Sequence, residues 1–209
     1  AEDLLVFGSG YSLALASYKA MECGKTGMEF AVGIPGSIGG AVYMNAGAYD
    51  GEMQNIVNCV KVMDLQGNER VLTAEELNFG YRKTSLQNSG LIVTEVTLKM
   101  PSGNKDEIKS KMDDFSHRRI SKQPLEMPSA GSMFKRPPGY FAGTLIDQAG
   151  LKGYTVGGAQ ISTKHAGFVV NVGGATAADV LQLIKDVQTK IKAGVGVELQ
   201  PEVLVIGEE

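Results

Sequence analysis

Tryptophan is absent from this chain, and histidine and cysteine occur only twice each in 209 residues. Each scarcity removes a class of explanation. His117 and His165 stand far apart, so a histidine-built metal centre or a Ser–His–Asp triad lacks its residues, and no metal site is expected. A single histidine could still act alone. Cys23 and Cys59 show neither a CxxC spacing nor a disulfide framework, and read as reduced, buried thiols. No apolar run approaches the roughly 20 residues of a membrane span and no secretory signal is visible, so no membrane partner and a cytoplasmic setting are expected. Basic charge is not in excess either. With 20 Lys+Arg against 23 Asp+Glu, the formal charge of −3 argues against nucleic acid as the main partner.

What the chain has instead is glycine, 27 residues of it, against a usual share of about 7%. The densest stretch is Gly33 to Tyr49 (GIPGSIGGAVYMNAGAY). No ordinary core strand or helix reads this way. Clustered glycine marks sharp turns or a backbone lying against a ligand, where N–H groups can reach a planar ring or a phosphate. A Gly-rich surface loop is the plainer alternative.

Around this stretch the pattern is α+β. Leu4 to Phe7 reads as a strand, and Ser12 caps a helix running to about Glu22. Val57 to Leu65 reads as a strand, turned back by Gln66-Gly67-Asn68 into a short second one. Thr73 and Glu76 have capping-box spacing and predict a short helix, followed by a strand over Leu91 to Met100. Pro101 to Asn104 is the best domain boundary, dividing the chain into 1–101 and 102–209. Asn104 caps a charged helix to about Ile120, most simply a solvated face, and a proline-bearing loop spans Ser121 to Tyr140. Phe141 to Gln148 is helical; Val156–Ile161 and Ala166–Val172 read as paired strands. Thr176 caps a helix with Val180, Ile184, Val187 and Ile191 on one face, ended by Gly194, and a last strand runs from Val195 to Ile206.

Three further constellations carry potential chemistry. Phe79-Gly80-Tyr81-Arg82 presents a guanidinium suited to a carboxylate or enolate, or simply a solvated arginine on a turn. The loop Pro128 to Gly139 combines Ser132 with Lys135 and Arg136. It reads as a rigid anion-binding loop with a positioned hydroxyl, or as a stiff basic surface loop. A hydroxyl is a very weak acid, so Ser132 could donate a proton only to a strongly basic product or with a cation nearby. Glu202, two positions after Gln200 in the run Glu198 to Val203, is either an exposed acid or part of a site. Lys152 is a helix-end cation or a ligand contact. His165, between two strands, reads as a turn residue rather than a catalyst.

Taken together, GIPGSIGGAVYMNAGAY at 33–49, FGYR at 79–82, QPLEMPSAGSMFKRPPG at 123–139, AGTLIDQAGLKG at 142–153 and LQPEV at 199–203 resemble, in order and over nearly the whole chain, the UDP-N-acetylenolpyruvoylglucosamine reductases. The resemblance implies FAD-dependent reduction by NADPH of the enolpyruvyl group of a UDP-sugar to UDP-N-acetylmuramate, in peptidoglycan precursor synthesis. It implies Ser132 as proton donor, with Arg82 and Glu202 stabilising the intermediate. It further implies flavin contacts from Gly33, Ile34, Pro35, Gly36, Ser37, Gly39, Gly40, Asn45, Ala46, Gly47 and Ala48, and substrate contacts from Lys135, Arg136 and Lys152. The Lys-Arg-Pro form and the lack of an insertion between Arg82 and Ser132 are similar to the shorter subclass. The family's N-terminal glycine-rich loop for the FAD pyrophosphate has no counterpart here. Residues 1–101 are therefore expected to be the second half of a PCMH-type FAD-binding domain, and 102–209 an α+β substrate-binding domain. For these 209 residues, an inactive sugar-nucleotide-binding fragment and another FAD-linked oxidase of the same fold remain alternatives. The oligomeric state is not legible.

Overall fold

The computed structural model describes residues 3–207, which form two compact units dividing between Arg119 and Ile120. The first contains β1 (Leu4–Gly8), α1 (Leu13–Glu22), α2 (Ile38–Tyr43), β2 (Gly47–Ala48), β3 (Gly51–Glu52), β4 (Val57–Met63), β5 (Glu69–Thr73), β6 (Ile92–Lys99) and most of α3 (Lys105–Lys122). The second contains β7 (Ser129–Ser132), α4 (Ala142–Gln148), β8 (Thr155–Val156), β9 (Ala159–Ile161), β10 (Phe168–Asn171) and α5 (Ala177–Val195). Both units are α+β, and every strand pairing is antiparallel.

The first sheet has the order β1-β6-β4-β5. β4, one of its two inner strands, buries Val57, Val60 and Val62, a spacing that breaks simple alternation. A register shift between Val57 and Cys59 accounts for it, because one extra residue resets which face the next side chains occupy. α1 closes over this core with Leu13, Ala16, Ser17 and Ala20, spaced as one helical face. Its start follows the expected rule: the Ser12 side chain accepts from the Leu15 N–H.

α3 departs from the reading of a solvated face and from a boundary at 101/102. Asn104 Oδ1 does cap its start, accepting from the Asp106 and Glu107 N–H groups at 2.8 and 3.3 Å. But Ile108, Met112 and Phe115 are buried in a small core with Val32, joined by Met21 and Tyr49. Three apolar residues at i, i+4 and i+7 suffice to hold a charged helix to its neighbour. Residues 105–119 consequently belong to the first unit.

The second sheet, β7-β10-β9-β8, is covered by α4 and α5 around Leu145, Ile146, Ile161, Leu183, Val187 and Ile191. The expected pair of long strands is a hairpin, β8–β9, followed by β10, because Gly157-Gly158 turns the first run back on itself. The proline-bearing loop contains a strand, β7, paired with β10. α5 has the complete capping box of Thr176 and Asp179, and stops at Gly196 in the left-handed conformation, not at Gly194.

Two other expected elements are absent. Among the described residues after Gly196 there is no strand, and Pro201 alone makes a bridge, to Phe134. Pro201 has no N–H to give a ladder, so pairing is confined to its neighbours. Thr73 and Glu76 make both capping bonds, at 2.8 and 3.3 Å, yet residues 74–78 form turns without an α-helix. Cys59 is half-buried, but Cys23 is exposed, contrary to the expectation of two buried thiols; both are free.

Candidate functional site

The glycine-rich stretch builds one half of the candidate site. It is not simply a loop, since Ile38 to Tyr43 wind into α2 behind the Ser37 cap. The N–H groups of Ile38 and Gly39 donate to Tyr11 O and Ser9 O, each at 2.9 Å, and that of Gly40 donates to Ser37 Oγ at 3.2 Å. These donors are used within the chain. What they do is bind residues 8–11 side by side with residues 36–39. Gly39 must approach that closely: a Cβ there would lie 2.8 Å from Ser9 Cβ.

The result is a patch of bare backbone. Gly8, Gly10, Gly36 and Gly40 are exposed, and a Cβ at Gly8, Gly10 or Gly36 would meet nothing within 4 Å. Gly36, at φ +124°, holds a backbone conformation that other residues rarely adopt. A surface without side chains, over a hydrogen-bonded frame, fits the face of a flat aromatic ring such as a flavin. Gly33, Pro35 and Gly36 are exposed, Ile34, Ser37, Ala46, Gly47 and Ala48 are half-buried, and Gly39 is buried. The Gly8-Ser9-Gly10 run was not among the residues expected from sequence. Its signal was there, a glycine pair immediately before the Ser12 cap.

Asn45 is fully buried at φ +42°. Its Nδ2 donates to Glu52 Oε2 and Gly80 O, both at 3.0 Å, and its Oδ1 accepts from the Gln54 N–H at 3.0 Å. Its side chain thus acts on the scaffold. Arg82 is tied to the same place: its Nη2 donates to Gly47 O at 3.0 Å and its Nη1 to Asn45 O at 3.4 Å. It sits in a left-handed conformation at φ +53°, in a turn closed by mutual Gly80–Lys83 bonds. Two motifs far apart in sequence, the glycine-rich stretch and FGYR, are therefore one structure.

In the second unit the structure brings Ser132 and Glu202 to neighbouring segments. Ser132 is opposite Phe168 in the β7–β10 pair. The next residue, Met133, accepts at its carbonyl from the Glu202 N–H at 2.8 Å, while Lys135 N–H donates to Gln200 O at 2.8 Å. Ser132 is exposed and Glu202 half-buried. Leu199 and Phe134, both buried, fix the two segments to the core. Arg136 lies over the Phe141 ring at 3.9 Å. Lys152 pairs with Asp147 at 2.7 Å, both partly exposed. The described residues contain no cluster of three or more His, Cys, Asp or Glu able to hold a metal, and no helix among them is long and apolar enough to cross a membrane.

Residues 123–206 match the family model of the UDP-N-acetylenolpyruvoylglucosamine reductase C-terminal domain. The reductase of that name from Pediococcus pentosaceus is 51% identical over 205 residues, which is 98% of this chain and 68% of the relative. The chain belongs to the UDP-N-acetylenolpyruvoylglucosamine reductase family. The reductase of Clostridium perfringens strain SM101 is 54% identical over 201 residues, 96% of this chain. The chain spans 66% of that relative's length, about two thirds. The crystal structure of the UDP-N-acetylenolpyruvylglucosamine reductase from Thermus caldophilus superposes with a TM-score of 0.83 at 42% identity, over 95% of this chain and 71% of that one. The family-model match begins within a few residues of the second unit.

Proposed function

We propose that this protein reduces the enolpyruvyl group of UDP-N-acetylglucosamine enolpyruvate to give UDP-N-acetylmuramate, using FAD and NADPH, in peptidoglycan precursor synthesis. Family membership supports the reaction. The observation that carries the assignment of residues is the Met133–Glu202 backbone bond, which makes a hydroxyl-bearing and a carboxylate-bearing residue close neighbours.

Bound FAD would supply the hydride chemistry between NADPH and the double bond of the substrate. The bare backbone of residues 8–10 and 33–40, with Ala46 to Ala48, would hold it, on the frame set by Asn45. Hydride arriving at the terminal carbon leaves an electron pair beside the substrate carboxylate, where it spreads as an enolate. Such a carbon is basic enough to take the proton of a hydroxyl, and Ser132 is the donor in this reading. Arg82 and Glu202 are the partners that stabilise charge as it develops and dissipates. Lys135, Arg136 and Lys152 bind the anionic parts of the UDP-sugar. A cytoplasmic setting goes with the two nucleotide substrates.

The test is Ser132→Ala in the FAD-loaded protein, followed by visible absorption. Bleaching by NADPH should be nearly unchanged, and reoxidation by the enolpyruvyl UDP-sugar should fall by orders of magnitude. Glu202→Gln should behave the same way. Equal loss of both half-reactions would make Ser132 a structural residue, and absence of substrate-dependent reoxidation in the unsubstituted protein would overturn the function.

A further inference from the structure

His165 sits in the turn between β9 and β10, half-buried, and a single row of hydrogen bonds starts at its ring. The Gly167 N–H donates to His165 Nδ1 at 3.0 Å. The Met133 N–H donates to Gly167 O at 2.9 Å, and the Glu202 N–H donates to Met133 O at 2.8 Å. Ser132 shares its peptide with the Met133 N–H, while the Met133 carbonyl belongs to the next peptide, and Ser132 lies opposite Phe168. The ring is confined as well. It meets Phe168 edge-on at 5.0 Å, and a Cβ on Gly143, in the first turn of α4, would stand 3.3 Å from its Cε1. Behind it the turn is pinned by buried Ser162, whose Oγ accepts from the Lys164 and His165 N–H groups at 3.1 and 3.3 Å.

We infer that His165 is a positioning residue, whose Nδ1 lone pair holds the Gly167 N–H and, through the Gly167 carbonyl, holds Met133, the residue that follows Ser132 and accepts from Glu202. The inference rests on the roles proposed above for those two residues. Because Nδ1 accepts, the ring proton is on Nε2, and the neutral imidazole is the working form. Burial holds the ring below its ordinary pKa against a backbone hydrogen bond at His165 itself; Lys152 and Lys122 push the same way as burial, and Asp147 also opposes them. A base whose folded pKa is depressed supports the structure above its unfolded value of about 6.5, and that support is lost as pH falls through the lower folded value. Protonation would set an N–H against the Gly167 N–H and loosen the row.

The experiment compares His165→Leu with His165→Asn in the full chain. Asparagine can accept from the N–H two residues on, the Asx-turn arrangement, and so replaces Nδ1 without an ionisable ring. With no ligand present, amide exchange at Gly167, Met133 and Glu202 should rise in the Leu variant and return towards normal in the Asn variant. In the FAD-loaded protein, Leu should slow substrate-dependent reoxidation on the order of 100-fold, the loss expected of a roughly 1 Å misplacement, and leave bleaching by NADPH intact. The Asn variant should recover most of that rate and lose the acid limb of the pH profile. An Asn variant no better than Leu, or a Leu variant with unchanged exchange at Met133 and Glu202, overturns the inference. If the amides respond as expected but the unsubstituted protein shows no reoxidation, the role of His165 stands and the reductase reading fails.

Discussion

Replacing Asn45 by Asp changes one NH2 to O and almost no volume, yet it should be among the more damaging substitutions in the first unit. The amide nitrogen donates to Glu52 Oε2 and Gly80 O at 3.0 Å each. In Asn45→Asp that position becomes an acceptor facing two acceptors, one of them a carboxylate. Two like charges about 3 Å apart at an effective dielectric near 20 repel by roughly 5.5 kcal/mol. Protonating one of the carboxyls at pH 7 instead costs about 1.4 kcal/mol for each of roughly three pH units, or ~4 kcal/mol. Protonation is the smaller cost, and it restores a donor, so the pair should take up a proton. The predicted loss is therefore ~4 kcal/mol at pH 7. The sign of its pH dependence follows. The folded pKa of the pair is raised, so the loss is absent below the unfolded value of about 4, grows by ~1.4 kcal/mol per unit above it, and levels off at the folded value. Hydrogen exchange by mass spectrometry, with peptides from β4 and β6 as readout, α5 as internal reference and intrinsic rates divided out, measures the difference from the parent at pH 5, 6 and 7. A loss under 1 kcal/mol at pH 7, or one that is flat with pH, would refute the reasoning.

Phe115→Ala should release α3: the ring is buried and stacked on Tyr49 at 4.4 Å, and truncating a buried Phe costs about 3–5 kcal/mol. Exchange protection should fall along 108–119 while α5 stays protected, and under the proposed FAD-binding role flavin retention should weaken, because Val32, in the same small core, leads into Gly33. For α5, the Asp179 carboxyl is held below its ordinary range by the Thr176 N–H first, then by the Thr176 hydroxyl and the Gly158 N–H. A lowered carboxyl pKa gives stability present above the unfolded value and lost as pH falls through the folded one. Asp179→Asn should therefore flatten part of the acid limb of second-unit unfolding, and an unchanged acid limb would show that this cap does not contribute.

Where local chemistry decides conformation, the sequence sufficed. Ser12, Asn104 and Thr176 announce helix starts because their side chains satisfy N–H groups two or three residues on, and no distant partner is needed. The apolar runs on either side of Gln66-Gly67-Asn68 likewise specify β4 and β5 through their own turn. The ordered motifs identified the family for the same reason, since residue types at set spacings are read along the chain. The sequence could not decide outcomes set by what another segment does. Thr73 and Glu76 form their capping box, but no helix follows. α3 looks solvated until Val32 and Tyr49 are seen covering Ile108, Met112 and Phe115. The N–H groups of Ile38 and Gly39 look available until Tyr11 O and Ser9 O are seen accepting from them. Above all, the row from His165 through Gly167 and Met133 to Glu202 joins three stretches widely separated in sequence. Hydrogen bonds across such separations have no periodicity to read, because antiparallel pairing and the turns that permit it exist only once the chain has folded.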